Sequence, residues 1–161
     1  MTLLRRHWPL LACLGLGLAL FVWQLGSTGL VDETGPRFAA SARAMAETGD
    51  WLTPRVNGLP RYDKPPMVYW LMGLGYLLPD QASWNPLGSW AARLPSALAS
   101  LGLMLALTGV VQRWPQLPQL SSGQNKRLAL ATALAFALSP LNLLWGRMEV
   151  SDALFSALVS G

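Results

Sequence analysis

Four stretches of this chain carry no Asp, Glu, Lys, Arg or His: Trp8–Val31, Pro65–Pro79, Leu94–Gln112 and Leu128–Gly146, of 24, 15, 19 and 19 residues. A helix that crosses a bilayer needs about 20 mainly apolar residues, whereas runs of about 10–14 suit an interfacial or re-entrant piece. The first, third and fourth runs therefore read as spans, and the second is borderline. A fifth apolar run opens at Ala153 and reaches only Gly161, too short to cross.

Composition points the same way. The 161 residues are 52% hydrophobic and 12% charged, with a mean hydropathy of +0.34. Soluble domains carry about 25% charge. The balance excludes a disordered chain and a nucleic-acid binder built on charge. A single cysteine, Cys13, excludes a disulfide scaffold or a Cys-rich metal site within the chain. The eight Trp suit membrane–water interfaces. The expected fold class is all-α, a polytopic membrane helical bundle.

Arg5 and Arg6 ahead of the first run also suit a signal peptide, and Leu10-Leu11-Ala12-Cys13 resembles a lipoprotein cleavage site. The apolar run continues well past Cys13, however, and no small-residue cleavage pattern closes it. It reads as an uncleaved first span.

Charge decides the topology, because short cytoplasmic loops collect Lys and Arg. If Pro65–Pro79 crossed, the loop bearing Arg113, Lys126 and Arg127 without an acid would lie outside. If it lies in the interface, the inside holds Arg5, Arg6, Arg113, Lys126 and Arg127. The outside then holds seven basic residues and all eight acids, and the total is the net +4 of the chain. The second arrangement obeys the rule. Spans are thus expected at about 8–31, 93–112 and 128–146, with a fourth starting at 152 and an outer segment over 32–92.

A loop of that length is usually functional. Pro36 in a first turn and Gly49 as a stop predict a short helix over Arg37–Thr48, with Phe38, Ala42 and Met45 on one face. Arg43 and Glu47 form an i,i+4 pair on another. Pro66–Leu78 predicts a second short helix with Tyr69, Trp70 and Tyr76 as interfacial aromatics. Gly73 and Gly75 would let it lie close to a neighbour.

This topology gathers ionisable residues on the outer face. Asp32-Glu33 leaves span one just ahead of a helix, whose N-terminal dipole favours ionised carboxylates. The pair reads either as a cap or as an acidic centre able to take a proton from a hydroxyl. Lys64 precedes Pro65-Pro66, which hold it extended. It reads either as a snorkelling lysine or as a point-charge contact to phosphate. Arg93 and Arg147 stand at the outer ends of spans two and three. Asp152 either caps span four with Ser151 or faces Asp32 as a second acid. No Gly-rich phosphate loop, zinc-helix motif or Ser-His-Asp set is present.

Taken in order, Asp32-Glu33, Arg37-Phe38-Ala39, Glu47-Thr48-Gly49-Asp50-Trp51-Leu52-Thr53-Pro54-Arg55 and Asn57-Gly58 resemble the first outer loop of one family. Tyr62-Asp63-Lys64-Pro65-Pro66, Tyr69-Trp70-Leu71, Arg93-Leu94-Pro95-Ser96-Ala97-Leu98, and Arg147 with Asp152 continue the likeness. The chain resembles the N-terminal portion of the polyprenyl-phosphate-sugar-dependent GT-C glycosyltransferases. These include the lipid A aminoarabinose transferases and, more distantly, the protein O-mannosyltransferases.

The resemblance implies a bacterial inner-membrane, multi-pass protein with a cytoplasmic N-terminus. Its further spans and soluble C-terminal domain would lie beyond this piece. It implies transfer of a hexosyl or pentosyl unit from an undecaprenyl- or dolichyl-phosphate carrier to a lipid or protein acceptor, with inversion. Asp32, Glu33 and Asp152 would be the catalytic acids, and Lys64, Arg93 and Arg147 the donor-phosphate ligands. Membrane lipids are expected partners, nucleic acid is not, and the scheme requires no metal, though carboxylates are able to hold a divalent cation. The rival reading is a non-catalytic binder of lipid-linked sugar, such as a flippase-type subunit.

The topology has a direct check. Single cysteines at Asn57→Cys, Ser89→Cys and Glu149→Cys, in a Cys13→Ala background, are expected to react with an impermeant thiol reagent from outside, and Gln119→Cys is not. Labelling of Gln119→Cys with protection of Ser89→Cys and Glu149→Cys would put Pro65–Pro79 across the membrane, and Asp32 and Asp152 on opposite sides.

Overall fold

The computed structural model describes residues 2–27, 34–62, 64–78, 90–114, 120–148 and 157–159; for 2–6 and 34 it describes the backbone alone. The described part is mostly helical. Helix α1 (Thr2–Gly17) runs into a π-helical turn, π1 (Leu18–Val22), and α2 (Thr34–Thr48) follows. A hairpin of β1 (Arg55–Val56) and β2 (Leu59–Pro60) leads to α3 (Met67–Tyr76), then α4 (Trp90–Arg113), α5 (Ser122–Ala137) and α6 (Pro140–Trp145). Among the described residues, α4 is the helix long and apolar enough to cross a membrane, and His7–Val22 is a shorter apolar helix.

The helix ends follow caps rather than charges. The first apolar run reaches Val31, but the helix stops at Val22, where Trp23 N donates to Leu18 O across a π-turn and Gln24 takes φ +51°. The fourth run is bounded by charge at 128–146, yet α5 begins at Ser122. There Ser121 Oγ accepts from Gln124 N, and Gln124 Oε1 accepts from Ser121 N. This reciprocal capping box satisfies two otherwise unpaired amides. The same run is broken at Ser139, and Pro140 opens α6 at the first-turn position proline favours. The fourth span expected from Asp152 lies largely outside the described residues.

The expectation of an all-α chain needs a small correction. Asn57 (φ +51°) and Gly58 (φ +79°) form the two left-handed centre positions of a tight hairpin turn between Val56 and Leu59. That geometry matches the twist of the paired strands. Gly49, at φ +74°, ends α2, and the Asp50 Oδ1 that follows accepts from Thr53 N (3.1 Å) and Leu52 N (3.2 Å). The Thr53 amide above all holds the Asp50 carboxyl below its ordinary pKa, so the turn loosens only when acid reaches that lowered value.

Two apolar clusters form the interior. In the first, Phe38, Ala42 and Met45 of α2, on one face as the spacing predicts, meet Val68, Tyr69 and Met72 of α3 and Ala91 and Ala92 of α4. The Phe38 and Tyr69 rings lie 5.3 Å apart at 45°. Each large side chain buried here contributes about 1.5–3 kcal/mol. Tyr69 and Tyr76 are therefore core residues rather than interfacial aromatics. Trp70 alone of the three is exposed, and its Nε1 donates to Trp51 O at 2.6 Å. In the second cluster, Cys13, Phe21 and Leu25 pack on Ala97 and Met104 of α4 and on Ala133 and Ala137 of α5. Trp90 packs against both.

The glycines of α3 set how close it lies. Pro95 has no N–H to offer Ala91 O, so that carbonyl is released from the α4 ladder. A Cβ on Gly75 would stand 3.1 Å from that oxygen and 3.1 Å from the Ala91 Cβ. A Cβ on Gly73 would stand 2.8 Å from the Trp51 ring. A methyl at either place requires the neighbour to give way.

Gly75→Ala is expected to destabilise the chain by about 1–3 kcal/mol through overpacking against α4. Gly15→Ala, in a helix with nothing within 4 Å of the new methyl, is expected to be neutral or stabilising by up to about 1 kcal/mol. Denaturant unfolding in detergent micelles compares the two.

Candidate functional site

Helix termini leave carbonyls without intrahelical partners, and the end of the first apolar helix is one such place. Arg147, just beyond α6, reaches it from 123–127 residues away. Its Nη1 donates to Leu20 O at 2.7 Å and Trp23 O at 3.1 Å, and its Nη2 to Gln24 O at 3.4 Å. Arg93, in the first turn of α4, is only 4% exposed, and its Nη1 donates to Leu25 O at 2.9 Å. Two guanidinium groups thus meet one stretch of backbone, residues 20–25.

Local packing explains the meeting. Gly146 closes α6, and a Cβ there would stand 2.6 Å from the Phe21 ring and 2.7 Å from Ser100 Oγ. The chain therefore passes directly over π1 and delivers Arg147 to its carbonyls. The π-turn ends the helix early and Gln24 turns it aside in the left-handed region, and the carbonyls of Leu20, Trp23, Gln24 and Leu25 accept from the two arginines. Ser27 adds hydrogen bonds to Gln24 O from its amide (3.1 Å) and hydroxyl (2.7 Å).

The electrostatics favour this pairing. Cations complement the negative end of a helix dipole, by up to about 2 kcal/mol in partly buried geometry. A buried guanidinium needs hydrogen-bonded partners, and for Arg93 the Leu25 carbonyl is one. A guanidinium carries five donors, of which Arg147 uses three on this backbone.

Of the six residues singled out from the sequence, Arg93 and Arg147 are brought together on the same turn. Lys64 is exposed, just ahead of α3. Asp32, Glu33 and Asp152 lie outside the described residues, as do Asp63 and Glu149. Arg61 rests over the Phe38 ring at 5.5 Å, and Arg43 pairs with Glu47 at 2.6 Å as the spacing predicts. Sequence reasoning missed that the two arginines cap a helix end, since their partners lie 68 and more than 120 residues away.

No protein-family profile matches the chain. Curated relatives do. One is the undecaprenyl phosphate-alpha-4-amino-4-deoxy-L-arabinose arabinosyl transferase 2 of Pseudomonas fluorescens, 32% identical over 110 residues, 67% of this chain and 18% of the relative. The corresponding transferase of Pseudomonas paraeruginosa is 32% identical over 136 residues, 83% of this chain and 21% of the relative. An uncharacterized protein of Aquifex aeolicus is 41% identical over 59 residues, 37% of this chain and 12% of that protein. The chain thus spans about a fifth or less of the length of these relatives.

Among solved structures, the ArnT crystal structures from Cupriavidus metallidurans, apo and bound to undecaprenyl phosphate, superpose with a TM-score of 0.75 at 27% identity. They cover 93% of this chain and 25% of theirs. The resemblance to the polyprenyl-phosphate-sugar-dependent GT-C glycosyltransferases holds over most of the chain, in sequence and in fold.

Arg147→Ala removes a donor from Leu20 O and Trp23 O, while Gln24 O keeps Ser27, and is expected to cost about 1–3 kcal/mol. Amide exchange at residues 23–27 is expected to quicken, with little change in α5. Unchanged exchange at 23–27 would show that the arginine does not hold this turn.

Proposed function

We propose that this chain forms part of a membrane glycosyltransferase that moves a sugar from a polyprenyl-phosphate carrier to a lipid or protein hydroxyl. The reaction takes place on the extracytoplasmic face of the plasma membrane, with the N-terminus of the chain in the cytoplasm. The observation that carries the reading is the fold correspondence with a transferase crystallised with undecaprenyl phosphate. The same outer-loop motifs and the segregation of charge support it.

In this reading α1, α4 and α5 lie in the bilayer, and α2, the hairpin and α3 form a cap over their outer ends. The donor's prenyl tail stays in the membrane, and its phosphate and sugar reach the rim between cap and bundle. The acceptor oxygen attacks the anomeric carbon from the face opposite the carrier. Its proton passes to Asp32, with Glu33 beside it, and Asp152 completes the acidic wall. The bond between the anomeric carbon and the phosphate oxygen breaks, and its electron pair leaves with the phosphate. Inversion follows from the single displacement.

Lys64 is the point charge that receives the developing phosphate charge. Such preorganised stabilisation is usually the largest catalytic contribution. Arg93 and Arg147 hold the end of the first helix, and with it the start of the segment that bears Asp32. The two Arg147 donors not given to the backbone turn toward the anion. The chain spans a small share of its relatives, and sugar transfer is expected of the intact protein.

Asp32→Asn in the intact protein, reconstituted with an undecaprenyl-phosphate-linked sugar, is expected to lower turnover by about 10²-fold or more, the loss of a general base. Donor binding is expected to persist in Asp32→Asn and to weaken in Lys64→Ala. Full transport or binding function in Asp32→Asn, with no transfer in either protein, would instead identify a carrier subunit.

A further inference from the structure

At the end of the bundle away from the cap, α1, α4 and α5 line an open cavity of about 700 Å³. Binding pockets for small ligands span about 300–1,000 Å³. The lining is basic: His7 comes from α1, Arg113 from the last turn of α4, and Lys126 from the first turns of α5. None of these three helices contains an Asp or Glu, so nothing within them offsets the charge. The N-terminus of α5 also opens here, at Ser122, and adds the positive end of a helix dipole.

The floor is polar and incompletely paired. Asn125, 6% exposed, donates from Nδ2 to Val111 O (3.1 Å) and Gln112 O (3.4 Å) and so caps α4. Its Oδ1 and the Nε2 of Gln112 are buried with no hydrogen-bond partner, and both residues line the cavity. A buried amide atom without a partner costs about 1–3 kcal/mol. One acceptor and one donor are thus left over on residues that line the cavity. A ligand with both a phosphate oxygen and a hydroxyl answers both.

The walls are apolar where acyl chains would lie. Leu10 lines the cavity, and exposed Leu11, Val110 and Trp114 flank it on α1 and at the end of α4. Arg113 rests over the Trp114 ring at 5.7 Å, an aromatic and a cation together at the level of a head group.

We propose that this cavity is a head-group site for an anionic phospholipid whose head carries a hydroxyl. The phosphate meets Arg113, Lys126 and the Gln112 amide, and the hydroxyl meets Asn125. The proposal rests on the reading of α1, α4 and α5 as membrane helices, and not on the catalytic reading of the opposite end.

The test reconstitutes the chain into nanodiscs of equal phosphatidylglycerol and phosphatidylcholine, which expose both membrane faces, and counts retained lipids by native mass spectrometry. Preferential retention of one phosphatidylglycerol is expected. It should fall by about tenfold or more in Arg113→Ala with Lys126→Ala, given the usual contribution of each cation near an anionic lipid. Arg127→Ala, exposed and outside the cavity lining, should retain the lipid. Equal retention of both lipids, or equal loss in Arg127→Ala, would overturn the site and leave the membrane reading intact. Displacement of the lipid by millimolar inorganic phosphate would overturn it in favour of a soluble anion. Failure of the chain to enter nanodiscs would overturn the membrane reading and the site together.

Discussion

A helix that ends among apolar neighbours must find donors for its last carbonyls, and water is scarce where the partners are lipid and side chains. Here two guanidinium groups from distant segments supply them. Much of the arrangement around residues 20–25 follows from that need. The π-turn ends the helix, Gln24 turns the chain aside, and Gly146 lets α6 pass close enough to bring Arg147 into reach. A charged donor is also favoured by the dipole of the helix that it caps. A lysine offers one point where the arginine offers a fork, and so spans three carbonyls less well.

The two apolar clusters divide the labour. One belongs to the cap of α2 and α3, the other to the bundle of α1, α4 and α5. Trp90 packs on both, and α4 contributes to each, with Ala91 and Ala92 under the cap and Ala97 and Met104 in the bundle. Small residues dominate these contacts, as they do wherever helices approach closely without a hydrophobic drive from water. Pro95 sits at the junction, and the carbonyl that it frees is where α3 comes nearest. A site between cap and bundle would thus be framed by a single helix that runs through both layers.

How much of this was legible in the sequence differs from element to element. Local signals sufficed for α2 and α3: Gly49 stops one, and Gly73 and Gly75 fit the close approach of the other. The apolar runs located the helices of the bundle but misplaced their ends, because absence of charge says nothing about caps. Ser121 with Gln124, Ser139 with Pro140, and Asn57 with Gly58 were visible markers that the charge argument passed over. The motif order led to the right family resemblance, which the relatives bear out. The arginine contacts were not legible, because periodicity and spacing report neighbours along the chain and these bonds join segments far apart.

The capping of the first helix by residues so much later has a consequence for biosynthesis. Gln24 and Arg147 are 123 residues apart, and at about 5–20 residues per second the ribosome needs about 6–25 s to bridge them. During that interval the first helix is already made while the groups that finish its end do not yet exist. Its terminal carbonyls must be served meanwhile by water, lipid head groups or the insertion machinery. Arg93 arrives first and Arg147 last, so the geometry of this turn matures in steps as translation proceeds. A pause or truncation between them leaves the helix inserted but its exit unset.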